Sequence, residues 1–215
     1  MTGSVAGRPL IIDAGPTLTF LAAGHGQLLV DVITRRGNRL LAPDAVIDEV
    51  ARKASTQARF RSCDAQFDRL VEAGTVEQLS DSVDDQELAR EVLRITGLAA
   101  EVRIGKSKDL GETMVIAHAL KQQAAGVEVR VFIDEWRGQR LAQDHGLRVV
   151  STEMVLAGAI DLSLIADRGE MRKMYETLRS FDDGLVHIDQ TSLLEKGRYR
   201  RAKEAAVSAD DAQSS

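Results

Sequence analysis

Four carboxylates carry the chemical interest of this chain: Asp13, Glu49, Glu112 and Asp134. Two of them directly follow aliphatic runs. Leu10-Ile11-Ile12 leads into Asp13, and residues 127–133 (VEVRVFI) lead into Asp134. Each acid is followed by a segment that reads as a helix. Gly15-Pro16 occupies the first turn after Asp13, where proline's missing N–H would be unpaired in any case. In open α/β sheets ligands gather beyond the C-terminal strand ends, so two strand–acid–helix units in one parallel sheet bring their acids to the same edge. Oxygen donors of this kind suit hard cations such as Mg²⁺ and Mn²⁺. A cation so held positions and deprotonates a water and stabilises charge on a phosphate, and a second one about 4 Å away stabilises the leaving oxygen. Phosphodiester cleavage is the chemistry that fits. Asp13 equally suits the simpler task of capping the helix that follows it.

The other two acids come from helices. In Asp44-Ala45-Val46-Ile47-Asp48-Glu49-Val50, opened by Pro43, the residues Val46, Ile47, Val50 and Ala54 share one face. Glu49 flanks that face, so it can look into a cleft while Asp48 points away. Glu112 precedes Ile116 by four residues and projects from the apolar face of Val115, Ile116, Ala119 and Leu120. Asp109, three residues earlier, could be the N-cap of that helix, with Glu112 closing a capping box. After the best strand of the chain, Asp134 and Glu135 should point to opposite faces, and Asp134 is the favoured site residue. Thr152, after the last strand at residues 147–150, could hold a metal-bound water or a phosphate through its hydroxyl, or could cap the next helix.

The elements that must position these residues alternate between strand and helix. Helices are expected over 27–36, 59–73, 84–95, 136–145, 168–181 and 190 to about 203, with short strands at 38–41 and 75–79. Asp84 and Glu87 stand in capping-box spacing. The Ala/Ser/Asp-rich stretch 205–215 reads as disordered.

Aromatic residues are only 4% of the 215, so the core must be aliphatic and single-strand recognition by an aromatic-rich barrel is disfavoured. A net charge of −5 argues against a passive nucleic-acid binder. It argues less against a metal-dependent nuclease, whose carboxylates are partly neutralised by bound cations. The single cysteine, Cys63, can form neither an internal disulfide nor a cysteine-based zinc site, and a reducing, cytoplasmic setting fits. Residues 1–9 lack the apolar core of a signal peptide, and residues 154–166 are too short to span a bilayer. His25, His118, His145 and His187 show no metal-ligand spacing. Walker, dinucleotide-glycine and Gly-x-Ser-x-Gly motifs are missing. Arg35, Arg36 and Arg39 form one basic patch expected near the cleft-side loops. Lys196, Arg198, Arg200, Arg201 and Lys203 form another. Either could guide RNA, or be an ordinary solvated surface.

Taken in order, four passages resemble the PIN-domain family, metal-dependent ribonucleases that include the toxins of VapBC-type toxin–antitoxin pairs. They are Ile11-Ile12-Asp13-Ala14-Gly15-Pro16, Val46-Ile47-Asp48-Glu49-Val50, Leu110-Gly111-Glu112 with its Ala-rich helix, and Phe132-Ile133-Asp134-Glu135 through Leu141-Ala142. Val149-Val150-Ser151-Thr152 resembles the strand and hydroxyl that follow the family's fourth acid. The resemblance covers residues 9–165. A helical extension at 166–204 resembles that of one PIN branch, and the tail follows it. The resemblance implies a Rossmann-like α/β/α sandwich with a central, mostly parallel sheet. It implies Asp13, Glu49, Glu112 and Asp134 as a Mg²⁺ or Mn²⁺ site and RNA as substrate. It also implies an antitoxin protein as partner, and it is compatible with a homodimer. Two positions depart from the family pattern. Gly15 stands where a small hydroxyl residue is common, and the third acid is often an aspartate, a place Asp109 could take instead of Glu112. The same residues also suit a non-catalytic PIN-like module that binds protein or RNA.

Overall fold

The structure, a computed structural model, describes residues 7–104, 109–182, 184–195 and 197–199. The 205–215 tail and most of the second basic patch (Lys196, Arg200, Arg201 and Lys203) lie outside them.

Five strands form one parallel sheet: β1 (Arg8–Ile12), β2 (Asn38–Pro43), β3 (Val76–Leu79), β4 (Arg130–Phe132) and β5 (Arg148–Val150). Their order is β3-β2-β1-β4-β5, so β1 is central and the winding reverses between β1 and β4. Ile11 pairs with Leu41 on one side and with Val131 on the other. Leu10, Ile11, Ile12, Val131 and Phe132 are all buried. Consecutive buried positions mean that both faces of the sheet are covered, the usual condition of parallel strands.

The covering helices are α1 (Ala14–Ala22), α2 (Gly26–Arg35), α3 (Asp44–Thr56), α4 (Cys63–Glu72), α5 (Gln86–Thr96), α6 (Ala100–Ile104), α7 (Leu110–Ala124), α8 (Trp136–Asp144), α9 (Thr152–Asp161) and α10 (Arg168–Arg179). The result is the expected α/β/α sandwich. α7 touches β1, β2 and β4 as well as α3 and α5. It is buried nearly all round from Thr113 to Leu120, as a helix without a strongly polar face must be. The expected inward stripe of Val115, Ile116, Ala119 and Leu120 faces the main core, while Met114 and Ala117 pack on Leu88 and Val92 of α5. Met171, Tyr175 and Leu178 of α10 join the main core, so the C-terminal helix is continuous with it.

Several expected elements differ. The 59–73 helix is interrupted: Gln57 is extended and residues Ala58–Phe60 form a 3₁₀ turn that buries Phe60, before α4 begins at Cys63. The 127–133 strand shortens to Arg130–Phe132 because its neighbours offer ladder partners only from Leu10 and Arg148 onward. The start of the expected 190–203 helix is instead 3₁₀ turns at Ile188–Gln190 and Ser192–Leu194, which Thr191 and the Tyr199 hydroxyl tie to backbone groups; residues 197–199 are helical, and 196 and 200–203 lie outside the described residues. Asp85, not Asp84, caps α5, accepting from the Leu88 N–H.

One polar knot joins three elements near the sheet edge. Asp81 accepts from the Ala45 N–H at the start of α3 (2.7 Å), and its other oxygen meets His118 Nε2 on α7 (2.7 Å). Asp44 returns a bond, accepting from the Asp81 N–H. His118 is thus a packed structural histidine. Replacing Asp81 with alanine orphans a buried imidazole and a helix-end N–H together, at a cost of about 3 kcal/mol. In a chain of this length that lowers Tm by roughly 6–12 °C, which thermal denaturation followed by circular dichroism checks directly.

Candidate active site

The reversal of winding leaves a crevice between the C-terminal ends of β1 and β4. Asp13 immediately follows β1, and its N–H donates to the Phe132 carbonyl of β4 (3.0 Å). Asp134 lies two residues beyond Phe132. Both line a cavity of about 640 Å³ together with Glu49 and Glu112. The four acids read from the sequence are therefore gathered in one place.

Each is held differently. Asp13 is the N-cap of α1, accepting from the Gly15 N–H at 3.4 Å. The capping role and the cavity-facing role, alternatives in sequence, coexist. Glu49 is ion-paired with Lys53 (Nζ to Oε1 2.8 Å) one helical turn on, with Arg52 farther off at 3.9 Å. Glu112 lies in the first turn of α7. Its carboxylate rests against α8, where a β-carbon on Gly138 would stand 2.5 Å from Glu112 Oε2. A β-carbon on Gly111 would stand 2.9 Å from Glu49 Oε2 and 3.7 Å from Asp13 Oδ1. Two glycines thus make room for these carboxylates, Gly111 beside Glu49 and Asp13 and Gly138 beside Glu112. Asp134 accepts from the Thr152 N–H (2.7 Å) and from the Thr152 hydroxyl (2.5 Å).

Three expectations change here. Ser151, not Thr152, caps α9, because the Thr152 side chain is buried and committed to Asp134. The Asp109–Glu112 capping box does not form: Asp109 takes a left-handed backbone (φ 55°) and makes no side-chain cap bond. Asp109 and Glu112 both line the cavity, but only Glu112 is half-buried there. Asp134 and Glu135 also both line it. Strand alternation has lapsed by that point, since β4 ends at Phe132, and Glu135 instead caps α8 by accepting from the Gly138 N–H at 2.9 Å.

The basic patch is corrected outright. Arg35 and Arg36 end α2, and Arg39 is the second residue of β2, so all three sit at the N-terminal edge of the sheet, opposite the cavity. Arg36 pairs with Asp161 and Arg39 with Glu77. Of the second patch, Arg198 is described and faces Asp161 and Ser192. The cations that do line the cavity are Arg52, Lys53 and Arg59. The i,i+3 and i,i+4 spacing from Glu49 signals the first two. Nothing local signals Phe181 and Asp182, which reach the cavity wall from beyond α10.

Burial and mutual repulsion raise the proton affinity of Asp13, Glu112 and Asp134. Asp13 is pushed up to about 6, chiefly by desolvation and then by Glu49. Glu112 is pushed up to about 7, by desolvation and then by Asp13, Glu135 and Asp109. Asp134 is pushed up to about 6 by burial, with the Thr152 bonds pulling the other way. Apart from the Lys53 paired with Glu49, the cluster itself offers only hard oxygen donors, and that donor set fits a divalent cation. Among the described residues no three such side chains close on a single point. Comparison with protein-family models, with characterised proteins and with solved structures finds no match.

Two predictions follow from the electrostatics. The folded-state values lie above the unfolded ones, 3.8 for aspartate and 4.5 for glutamate. The stabilising share of these groups is therefore complete below about pH 4 and is lost as pH rises through 6 to 7. Asn caps a helix as well as Asp, so Asp13→Asn in metal-free buffer should raise Tm by roughly 3 °C at about pH 8. The difference should vanish near pH 4. Thr152→Val keeps the shape but removes a hydroxyl bond from a buried carboxylate. It should cost about 1–2 kcal/mol at neutral pH, read from urea denaturation, and should cost less once Asp134 is protonated.

Proposed function

We propose that this chain is a metal-dependent endoribonuclease of the PIN type, hydrolysing RNA phosphodiester bonds at the Asp13–Glu49–Glu112–Asp134 cavity. The observation that carries this reading is the convergence of the four acids, from two strand ends and two helices, at the crevice where the sheet reverses its winding. The resemblance of the four sequence passages to the PIN family supports the reaction class. On this reading the protein works in the cytoplasm as the toxin of a toxin–antitoxin pair, with an antitoxin protein as partner. No helix among the described residues is long and apolar enough to cross a membrane.

Asp13, Glu49, Glu112 and Asp134 would hold Mg²⁺ or Mn²⁺, which when bound lowers the pKa of water and offsets charge on the phosphate. Around it the chain's own groups have separate tasks. Thr152 fixes the rotamer of Asp134 by bonding both of its oxygens. Glu112, whose affinity for a proton is the highest of the set at about 7 because of burial and the neighbouring acids, would give up that proton on taking up the cation. Asp13 and Asp134, each at about 6, are ionised at neutral pH and orient what lies between them. Lys53 holds Glu49 against the wall.

That ion pair also favours a second reading. A carboxylate already neutralised by a lysine belongs equally to a non-catalytic module that binds protein or RNA. Cleavage of a labelled RNA pool with Mn²⁺, with Mg²⁺ and with chelator separates the two. Under the nuclease reading, cleavage requires metal and falls at least about 100-fold in Asp13→Asn and in Asp134→Asn. Undiminished cleavage in either variant removes the assigned site. Absence of both cleavage and a metal-induced rise in Tm leaves the binding module.

A further inference from the structure

Three neighbouring strands begin with the same residue type. Arg8 opens β1, Arg130 opens β4 and Arg148 opens β5. These strands lie side by side, so the three arginines stand together at the N-terminal edge of the sheet, opposite the four-acid cavity. Register puts them on one face. Arg130 pairs directly with Arg148, and its partner on β1 is Leu10, two residues after Arg8. Side chains two apart along a strand share a face. Arg39, by contrast, pairs with Pro9, which turns it to the other face, where it meets Glu77.

All three guanidinium groups converge on one atom, Glu128 Oε1. Arg148 reaches it at 2.6 Å, and Arg8 and Arg130 at 3.9 Å each. Only the Arg148 contact is a hydrogen bond. Among the described residues no other carboxylate comes within 4 Å of these arginines. The Arg130 Nε is buried without a hydrogen-bond partner. One carboxylate therefore serves three cations, and strands about 4.8 Å apart hold those cations near enough to repel one another. Such an excess of positive charge is out of keeping with a chain of net charge −5. Arg8, Arg148 and Glu128 are all exposed, so the cluster is open to a ligand.

A dianion balances it. A phosphoryl group carries up to two negative charges at neutral pH and presents three acceptor oxygens, and guanidinium forks bind it bidentately. A further carboxylate brings only one charge and two oxygens. We infer that this edge of the sheet is a phosphoryl-binding site, with Arg8, Arg130 and Arg148 as its donors and Glu128 as a resident competitor for them. The ligand class is a phosphate dianion, either free or borne as the terminal group of a nucleotide. The site is separate from the cavity and does not rest on the nuclease reading.

The test uses the full chain in chelator, which prevents metal-bridged binding of phosphate at the four acids. Inorganic phosphate and adenosine 5′-monophosphate are each titrated by isothermal titration calorimetry at constant ionic strength. The expected result is one saturable site. Arg8→Gln, Arg130→Gln and Arg148→Gln should each weaken it about tenfold. Arg148 is exposed, so its variant tests the site even where loss of the half-buried Arg130 disturbs folding. Glu128→Gln should tighten binding several-fold. Arg39→Gln removes the same charge from the opposite face and should leave affinity within about twofold of the parent. Equal affinity for the two ligands assigns the site to free phosphate, and tighter binding of the nucleotide assigns it to a nucleotide. Absence of saturable binding, or equal weakening by Arg39→Gln and Arg148→Gln, overturns the inference. Weaker binding in Glu128→Gln overturns it too, because the carboxylate would then be holding the arginines in place rather than competing for them.

Discussion

Everything about this molecule's functional end depends on keeping several carboxylates out of bulk water and close to one another. Like charges in a desolvated crevice repel, and the rise of Asp13, Asp134 and Glu112 to about 6, 6 and 7 measures that repulsion together with lost hydration. The fold answers it with helix ends. Asp13 caps α1, Glu135 caps α8, Glu112 occupies the first turn of α7, and Asp134 receives the Thr152 N–H from the first turn of α9. Each of these positions faces unpaired N–H groups and the positive end of a helix dipole. Glu49, in the middle of α3, has no helix end to face and is paired with Lys53 instead. Partial compensation of this kind keeps the acids in place while leaving the cluster short of positive charge.

The geometry that brings those helix ends together follows from the sheet. Strands to one side of β1 lead away to β3, and those to the other side lead to β5. The helices entering after β1 and β4 therefore diverge, and their N-termini flank one crevice. α7 crosses beneath them, buried nearly all round, and carries Glu112 into the gap. Close approach is possible because Gly111 and Gly138 lack the β-carbons that would collide with Glu49 and Glu112. The residues after α10 then supply Phe181 and Asp182 to the outer wall, so the C-terminal helix contributes to the cavity as well as to the core.

Much of this was legible before any coordinates. An aliphatic run followed at once by an acid and then by a Gly-Pro helix start is a local pattern, and so is the inward-facing Glu112. Both depend only on side-chain period and backbone preference. Fine assignments failed where two neighbours competed for one job. Asp84 and Asp85 offer the same side chain one residue apart, as Ser151 and Thr152 offer the same hydroxyl. The choice is made by which backbone N–H groups come within reach. The Arg35–Arg36–Arg39 patch failed for a different reason: its charge was read correctly, but a loop entering a strand and a loop leaving one lie at opposite edges of the sheet, and composition does not distinguish them.

The amino-acid sequence by itself determined the alternation of strands and helices, the aliphatic core and the four acids that line the cavity, because each is written in the spacing of neighbouring residues. The tertiary structure alone decided the partners. That Thr152 holds Asp134, that Asp81 joins α3 to His118, that Arg52 and Arg59 rather than the α2 arginines stand at the cavity mouth, and that Phe181 and Asp182 close its wall are contacts between residues far apart in the chain. Distances of that kind are set by strand order and helix packing, and no short window of sequence contains them.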